Sequence, residues 1–184
     1  MKTLLAVLLL TALAAFSQPA QIILLRHAEK PDDPAAVNLS PRGEGRARAL
    51  VSLLGTNSPL TSNAPVAALY ATRVTKHGHS HRTGETLAPL ARELGLPVQT
   101  PYETELYSLL ARDILSNRAY QGKTVVICWT HHDIAGLAAA LGVRPKPPPW
   151  KEKTFDRLWL VRPSARTAEF QDLPQRLLKG DSKR

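Results

Sequence analysis

The most constraining feature of the sequence is a run of four large aliphatic residues, 22–25, that stops abruptly at Arg26-His27. A continuous aliphatic run of this length is typical of a strand that is buried on both faces of a parallel sheet. In open α/β sheets, ligands bind just outside the carboxyl ends of the strands. The run therefore predicts a site at its exit, although a strand with a solvated polar end has the same pattern.

The rest of the chain alternates between strand-like and helix-like patterns. Further strands are predicted at 66–71, 96–99, 123–129 and 155–161, and helices at 40–54, 83–94, 103–116 and 134–141. Strands that alternate with helices indicate a mostly parallel sheet covered on both faces. We predict an α/β fold, a three-layer sandwich with a mostly parallel central sheet and helices on both faces. We also expect an edge strand around 168–171, and a kink or a join in the second helix at Pro89.

The first 17 residues have the pattern of a signal peptide. A basic start at Lys2 precedes 13 residues, 4–16, that are apolar apart from Thr11, and small or polar residues follow. A membrane span needs roughly 20 apolar residues, so this segment is short for one. We expect cleavage after Ser17 or as late as Ala20, export to the periplasm or the medium, and no stable membrane insertion afterwards. An uncleaved anchor is the alternative.

Residues 18–184 are enough for one domain with a sizeable core. Cys128 is the only cysteine, so no internal disulfide is expected, and its apolar neighbours indicate an inert core thiol. From about residue 174 the chain becomes polar, and we expect this tail to fray. The sequence does not indicate an oligomeric state.

The formal charge of +9 becomes +8 when Lys2 is removed with the signal peptide. This excess favours anionic ligands without choosing among them. The chain contains only three Trp, four Tyr and three Phe, and they do not form a basic-aromatic ladder on which bases could stack. Nucleic-acid binding is therefore disfavoured.

Three polar clusters follow predicted strands or open predicted helices, namely Arg26-His27, residues 77–82 and His131-His132. Because the carboxyl ends of parallel strands share one edge of the sheet, these clusters can meet there. Guanidinium groups match phosphate oxygens bidentately, and the start of the helix near Arg82 would add N–H donors. A neutral imidazole among them can attack phosphorus in line. The three clusters therefore predict a phosphate pocket.

The same residues resemble the histidine phosphatase superfamily, the phosphoglycerate mutase-like proteins. Residues 26–30 (RHAEK) resemble its Arg-His-Gly-type signature, with Ala28 in place of the usual Gly. Residues 39–47 (LSxxGxxRA), residues 82–86 (RTGET) and the strand that ends at Thr130-His131 are similar to its three following blocks. The four blocks occur in order across nearly all of residues 18–184.

The resemblance implies a phosphoric monoester hydrolase that works without a metal or other cofactor. His27 would be the nucleophile that becomes phosphorylated. Arg26, Arg82 and His131 would hold the phosphoryl oxygens and stabilise the charge of the transition state. The substrate would be a phosphorylated small molecule or a phosphoprotein.

The proton donor to the leaving group has three candidates. Mutase-like members use a Glu after the second arginine, which points to Glu103 or Glu105. Acid-phosphatase-like members use an Asp directly after the second histidine, and Asp133 fits that pattern if His132 is the pocket histidine. We favour His131 because its neighbours match better. All three acids also suit the start of a helix, where carboxylates are favoured by the helix dipole.

Two other functions compete with a phosphatase. A non-catalytic phosphate or phosphoprotein binder would keep the pocket and lack a working acid. A metal-binding protein would use His77, His79 and His81, whose alternation within the basic loop 73–81 resembles a ligand set. A mutase is less attractive, because an exported enzyme would not meet phosphoglycerates.

Overall fold

A computed structural model describes residues 18–76 and 79–183. These residues form the strands β1 (Gln21–Arg26), β2 (Val66–Ala71), β3 (Val98–Gln99), β4 (Thr124–Trp129), β5 (Arg157–Arg162) and β6 (Glu169–Pro174). They also form the helices α1 (Pro41–Leu54), α2 (Arg82–Leu94), α3 (Tyr107–Ser116) and α4 (Ile134–Ala140), with short 3₁₀ turns at Thr104–Leu106 and Arg118–Tyr120. The predicted signal peptide lies outside the described residues. Within them, no helix is both long and apolar enough to cross a membrane.

The strands form one mixed sheet in the order β3-β2-β4-β1-β5-β6. β1 to β4 are mutually parallel, whereas β5 runs antiparallel to both of its neighbours. Every residue of the two central strands β1 and β4 is buried, which explains their continuous aliphatic runs. In the register of this pair, Arg26 lies opposite Trp129, so the two polar segments that follow leave the sheet side by side.

Helices cover both faces of the sheet, and β1 contributes to both cores. Its residues Ile23 and Leu25 pack with the apolar faces of α1 and α2. Ile22 and Leu24 point the other way and pack with α3 and α4. This alternation follows from the period-two geometry of a strand. The molecule therefore has the three layers that the sequence predicts.

The helix boundaries largely follow the sequence signals. Ser40 caps α1 by accepting a hydrogen bond from the backbone N–H of Gly43 at 3.1 Å, and Pro41 occupies the first turn. α2 runs as one helix through Pro89, so this proline does not join two pieces. The predicted helix 103–116 is divided into a 3₁₀ turn and α3.

The residues after β6 fold back onto the domain, in contrast to the frayed tail that we expected from about residue 174. Gln175 is only 4% exposed. The carboxylate of Asp181 lies 2.8 Å from the guanidinium of Arg46 on α1. The backbone N–H of Ser182 donates to the carboxylate of Asp156. These polar residues are ordered because their partners lie far away in the sequence.

Candidate active site

The pocket lies where β1 and β4 end. Arg26 and His27 leave β1 with only 1% and 5% of their surface exposed. His131 follows β4 and is half buried, and Arg82 opens α2. The charges of Arg26, Arg82 and His131 all reach His27 and lower its pKa, in addition to a larger effect of burial. The structure thus brings together the four residues to which the resemblance gives phosphate-handling roles.

The hydrogen bond of His27 leaves one of its ring nitrogens with a free lone pair. Its Nδ1 lies 2.7 Å from the carbonyl oxygen of Ala28, which can only accept, so the proton is on Nδ1 and the lone pair is on Nε2. Burial is the largest of the effects that together lower the pKa of His27 to about 3, and the charges of Arg26 and Arg82 contribute to the same fall. The imidazole is therefore neutral at ordinary pH and keeps the lone pair that an attack on phosphorus needs.

Arg26 and Arg82 present unused donors inside the protein. The Nε and Nη2 atoms of Arg26 and the Nε atom of Arg82 are buried and have no hydrogen-bond partner among the described residues. The Nη1 atom of Arg82 donates a hydrogen bond to the carbonyl of Ala36 at 2.8 Å. Burial lowers the pKa of Arg26 to about 10 and also lowers that of Arg82, yet both groups remain cationic. Buried donors of this kind are normally satisfied, so these atoms are candidates for binding an anion.

Another buried arginine, Arg46, shows the contrast. It is 2% exposed, and its guanidinium lies 2.8 Å from carboxylates of both Glu29 and Asp181. Burial alone would lower the pKa of Arg46, but its hydrogen bonds with these carboxylates raise it above the ordinary value. No described carboxylate forms an ion pair with Arg26 or Arg82. Arg46 is thus a structural cation, whereas Arg26 and Arg82 feel the charges of Glu152 and Glu85 from beyond ion-pair distance.

The block at 39–47 packs the start of α1 against the chain that leaves His27. The backbone N–H of Ser40 donates to the carbonyl of Glu29 at 2.9 Å. A Cβ at Gly43 would collide with that same carbonyl oxygen, so only glycine allows the approach. The motif is therefore explained by close packing of a helix onto the segment after the candidate nucleophile.

The block at 82–86 fastens α2 to the same segment. The hydroxyl of Thr86 accepts from the backbone N–H of Ala28 at 2.9 Å and donates to the carbonyl of Arg82 at 2.7 Å. The carboxylate of Glu85 accepts from the backbone N–H of Leu39 at 2.8 Å. Thr86 and Glu85 therefore hold α2 against the segment that carries His27. The motif at 82–86 did not predict this role.

One candidate proton donor, Asp133, contacts the segment that contains the other two. The carboxylate of Asp133 accepts hydrogen bonds from the hydroxyls of Thr104 at 2.9 Å and Thr130 at 3.1 Å. Glu103 and Glu105 flank Thr104 and are exposed. Among these described acids, only Asp133 thus contacts the segment that follows β4, and the identity of the donor stays a prediction.

The two histidines after β4 differ in environment. Burial, followed by the charge of Arg26, lowers the pKa of His131 to about 4. His132 is exposed, and its ring centroid lies 3.8 Å from that of His131. His131 is thus the less exposed member of the pair, and the charge of Arg26 reaches it.

The basic loop leads into α2. The backbone N–H of His81 donates to the carbonyl of Val37 at 3.0 Å, and both His79 and His81 are exposed. His77 lies outside the described residues. Among the residues that are described, no group of three or more His, Cys, Asp or Glu side chains could hold a metal ion. The proposal of a site formed by all three histidines therefore stays a prediction.

One pocket residue was not singled out from the sequence. The ring centroid of Phe155 lies 4.1 Å from the guanidinium carbon of Arg26 and 5.9 Å from the ring centroid of His27. Phe155 lies in the predicted strand 155–161, but it precedes β5 and turns into the pocket. No local pattern distinguishes it from a strand residue.

Comparison with known proteins identifies the fold. The protein named as phosphohistidine phosphatase SixA from Nakamurella multipartitia matches with a TM-score of 0.50 and 18% identity, over 84% of this chain and 95% of that one. The predicted fold class is confirmed. It is the α/β fold of the phosphoglycerate mutase-like proteins.

A mycobacterial glucosyl-3-phosphoglycerate phosphatase in complex with inorganic phosphate also matches, with a TM-score of 0.46 and 16% identity, over 84% of this chain and 95% of that one. No protein-family model matches this chain. No curated protein matches it either.

Proposed function

We propose that this protein is a phosphatase of the histidine phosphatase superfamily that hydrolyses phosphomonoesters through a phosphohistidine on His27. One observation carries the proposal. The buried Arg26 and the partly buried Arg82 keep buried donor atoms without a partner beside a neutral imidazole, while the buried Arg46 is paired with two carboxylates. A phosphoryl group supplies the missing negative charge and acceptors. The likeness in fold to SixA supports the superfamily.

The first step transfers the phosphoryl group to the protein. The lone pair on Nε2 of His27 attacks phosphorus in line, and the bond between phosphorus and the ester oxygen breaks with its electron pair on that oxygen. Glu103, Glu105 or Asp133 then donates a proton to the leaving alkoxide. The Nε and Nη2 edge of Arg26, the Nε of Arg82 and the imidazole of His131 hold the phosphoryl oxygens.

The second step releases phosphate. A water molecule attacks phosphorus, the P–N bond breaks, and its electron pair returns to Nε2 of His27. The acid that protonated the leaving group accepts the proton of the water. Inorganic phosphate leaves and restores the neutral imidazole. Each step uses groups of the protein and water alone.

The mechanism is tested by replacing His27 with Asn. The variant should lose hydrolysis of an aryl phosphate by about a thousandfold or more, because the nucleophile is gone. Acid-quenched wild type incubated with labelled substrate should carry acid-labile phosphate, and the variant should carry none. His79→Asn, which changes an exposed histidine of the basic loop, is the matched control. Retention of most activity by His27→Asn would overturn the mechanism.

Export is part of the proposal. Its support is the pattern of residues 1–17, and the hydrogen bonds of residues 18–20 bear on where cleavage occurs. The carbonyl of Gln18 accepts from the N–H of Gly122 at 3.3 Å, and the N–H of Ala20 donates to the carbonyl of Lys123 at 2.9 Å. Cleavage after Ser17 keeps these bonds, and cleavage after Ala20 removes them. Mass spectrometry of the periplasmic or secreted protein should therefore give an N-terminus at Gln18.

The substrate class is a phosphorylated small molecule or a phosphoprotein. Because SixA is named as a phosphohistidine phosphatase, a substrate panel should include a phosphohistidine peptide beside aryl and alkyl phosphates. Assays with and without a chelator test the metal hypothesis at the same time, since chelation should leave the activity unchanged.

A non-catalytic phosphate binder is the second candidate. Two of the three candidate acids, Glu103 and Glu105, are exposed, and Asp133 already accepts hydrogen bonds from two threonines. Labelled phosphohistidine that forms without turnover would favour this function. Steady release of inorganic phosphate would exclude it.

A further inference from the structure

The guanidinium of Arg26 is held by one short segment, residues 151–155, which we call the Arg26 clamp. Its Nη1 faces the carbonyl oxygens of Lys151 at 3.5 Å, of Glu152, and of Thr154 at 3.4 Å. The ring of Phe155 lies over the guanidinium carbon at 4.1 Å. The clamp therefore contacts one nitrogen and one face of Arg26.

These contacts leave the opposite edge of the guanidinium free. Nε and Nη2 are the two atoms of Arg26 without a partner, and together they form the parallel fork that binds two oxygens of a phosphate. A long side chain such as arginine loses rotamer freedom when it binds a ligand. Prior fixation by the clamp removes that cost, because the fork already has its orientation when the phosphate arrives.

The clamp is itself anchored at both ends. On one side, the indole N–H of Trp150 donates to the carbonyl of Thr154 at 2.8 Å. On the other, Asp156 receives hydrogen bonds from the backbone of the tail, at its carbonyl from Gln175 at 2.8 Å and at its carboxylate from Ser182 at 2.5 Å. The position of Phe155 is therefore fixed by hydrogen bonds to the residues on either side of it, Thr154 and Asp156.

The clamp grips Arg26 mainly through groups that substitution does not remove. Three of its contacts come from main-chain carbonyls, which every residue possesses. The carboxylate of Glu152 points elsewhere, to an exposed pair with Lys30 at 3.4 Å. Phe155 is thus the side chain of the clamp through which the orientation of Arg26 can be altered.

We propose that Phe155 is a positioning residue for phosphate binding, which orients the free edge of Arg26 by stacking over its guanidinium. The inference rests on the proposed function, since it assigns Arg26 to the phosphate. A cation–π contact is stronger when it is removed from water, as it is here. Loss of the ring should weaken the binding of inorganic phosphate and raise KM, each by about tenfold, with a smaller change in kcat.

The experiment compares ring-free and ring-containing replacements. Phe155→Leu and Phe155→Met remove the ring, and Phe155→Tyr keeps it. Phe170→Leu is the control, because Phe170 is also half buried but packs edge to face on Trp159 at 5.3 Å. The readouts are the affinity for inorganic phosphate by calorimetry, kcat and KM for an aryl phosphate, and the urea midpoint.

We expect the Leu and Met variants to bind phosphate about tenfold more weakly than wild type, and the Tyr and Phe170→Leu variants to bind as wild type does. Wild-type affinity in a folded ring-free variant, or equal weakening in the Tyr variant, would overturn the role of the ring. If wild type neither binds phosphate nor hydrolyses the ester, the proposed function fails instead.

Discussion

The hydroxyl of Thr86 accepts a hydrogen bond from the backbone N–H of Ala28 at 2.9 Å, and so ties α2 to the residue that follows His27. Thr86→Val keeps the shape and removes the acceptor, which leaves a buried N–H unsatisfied. We expect the free energy of unfolding to fall by about 1–3 kcal/mol and kcat/KM for an aryl phosphate to fall as well. Urea titration and steady-state kinetics measure the two effects.

Thr61→Val is the control for this change. The hydroxyl of Thr61 is also buried and donates to the carbonyl of Gly55 at 3.1 Å, in the loop before β2. Its loss should lower stability and leave kcat/KM unchanged. Equal kinetics in the two variants would mean that Thr86 has no part in positioning the site.

Replacement of Arg46 by Met should be strongly destabilising. It removes the buried cation from the carboxylates of Glu29 and Asp181, which keep only the exposed Arg42 at 3.0 and 3.7 Å, and breaking a buried pair costs about 3–5 kcal/mol. Arg48→Met, which breaks an exposed pair with Glu44 at 3.6 Å, should change stability by less than about 1 kcal/mol. Urea midpoints that fall equally would contradict the structural role of Arg46.

The two glycines of α1 should respond oppositely to alanine. At Gly43 a methyl group would meet the backbone of Glu29, so Gly43→Ala should destabilise the fold by about 1–3 kcal/mol. At Gly45 nothing lies within 4 Å of the added carbon, so Gly45→Ala should stabilise the helix by about 0.5–1 kcal/mol. Thermal melting of both variants measures the difference, and a stable Gly43→Ala protein would contradict the close approach.

The titration of His27 gives a prediction with a definite sign. An unfolded histidine has a pKa near 6.5, whereas burial lowers the pKa of His27 to about 3. Because the folded-state pKa is the lower one, the unfolded state binds the proton first as the pH falls. The stability is therefore fully present above about pH 6.5 and is lost between there and about pH 3.

Between pH 7 and pH 5, His27 should by itself lower the free energy of unfolding by about 2 kcal/mol. His27→Asn cannot take up this proton. Over the same interval, its free energy of unfolding should therefore fall by about 2 kcal/mol less than that of wild type. Urea titrations of both proteins at the two pH values provide the comparison. An identical pH dependence would show that His27 titrates normally.

The central strands and the helix starts were predictable because their determinants are local. β1 and β4 are buried on both faces, so their aliphatic runs are uninterrupted, and Ser40 with Pro41 marks the start of α1 within two residues. The exit of β1 could be predicted as a candidate site for the same reason, since position in an α/β sheet follows from the strand itself.

The remaining features depend on contacts between distant residues. Arg46 and Asp181 form a buried ion pair although they lie 135 positions apart. No sequence periodicity connects them, so we expected a frayed tail in this part of the chain. Phe155 lies against Arg26 because of the path of the segment before β5, which its own sequence does not specify. Tertiary charge pairing and loop path therefore set the limit of what the sequence predicted.

The place of β1 between β4 and β5 has a consequence for synthesis. Gln21 pairs with Thr124, 103 positions later, and Leu24 pairs with Trp159 on the other side. During synthesis, β1 therefore cannot pair with β4 or β5 until most of the chain has been made. Contacts between residues so far apart in the sequence also form slowly. Until then the central strand of the sheet has no partner, so the sheet around the candidate site is one of the last parts of the fold that can form.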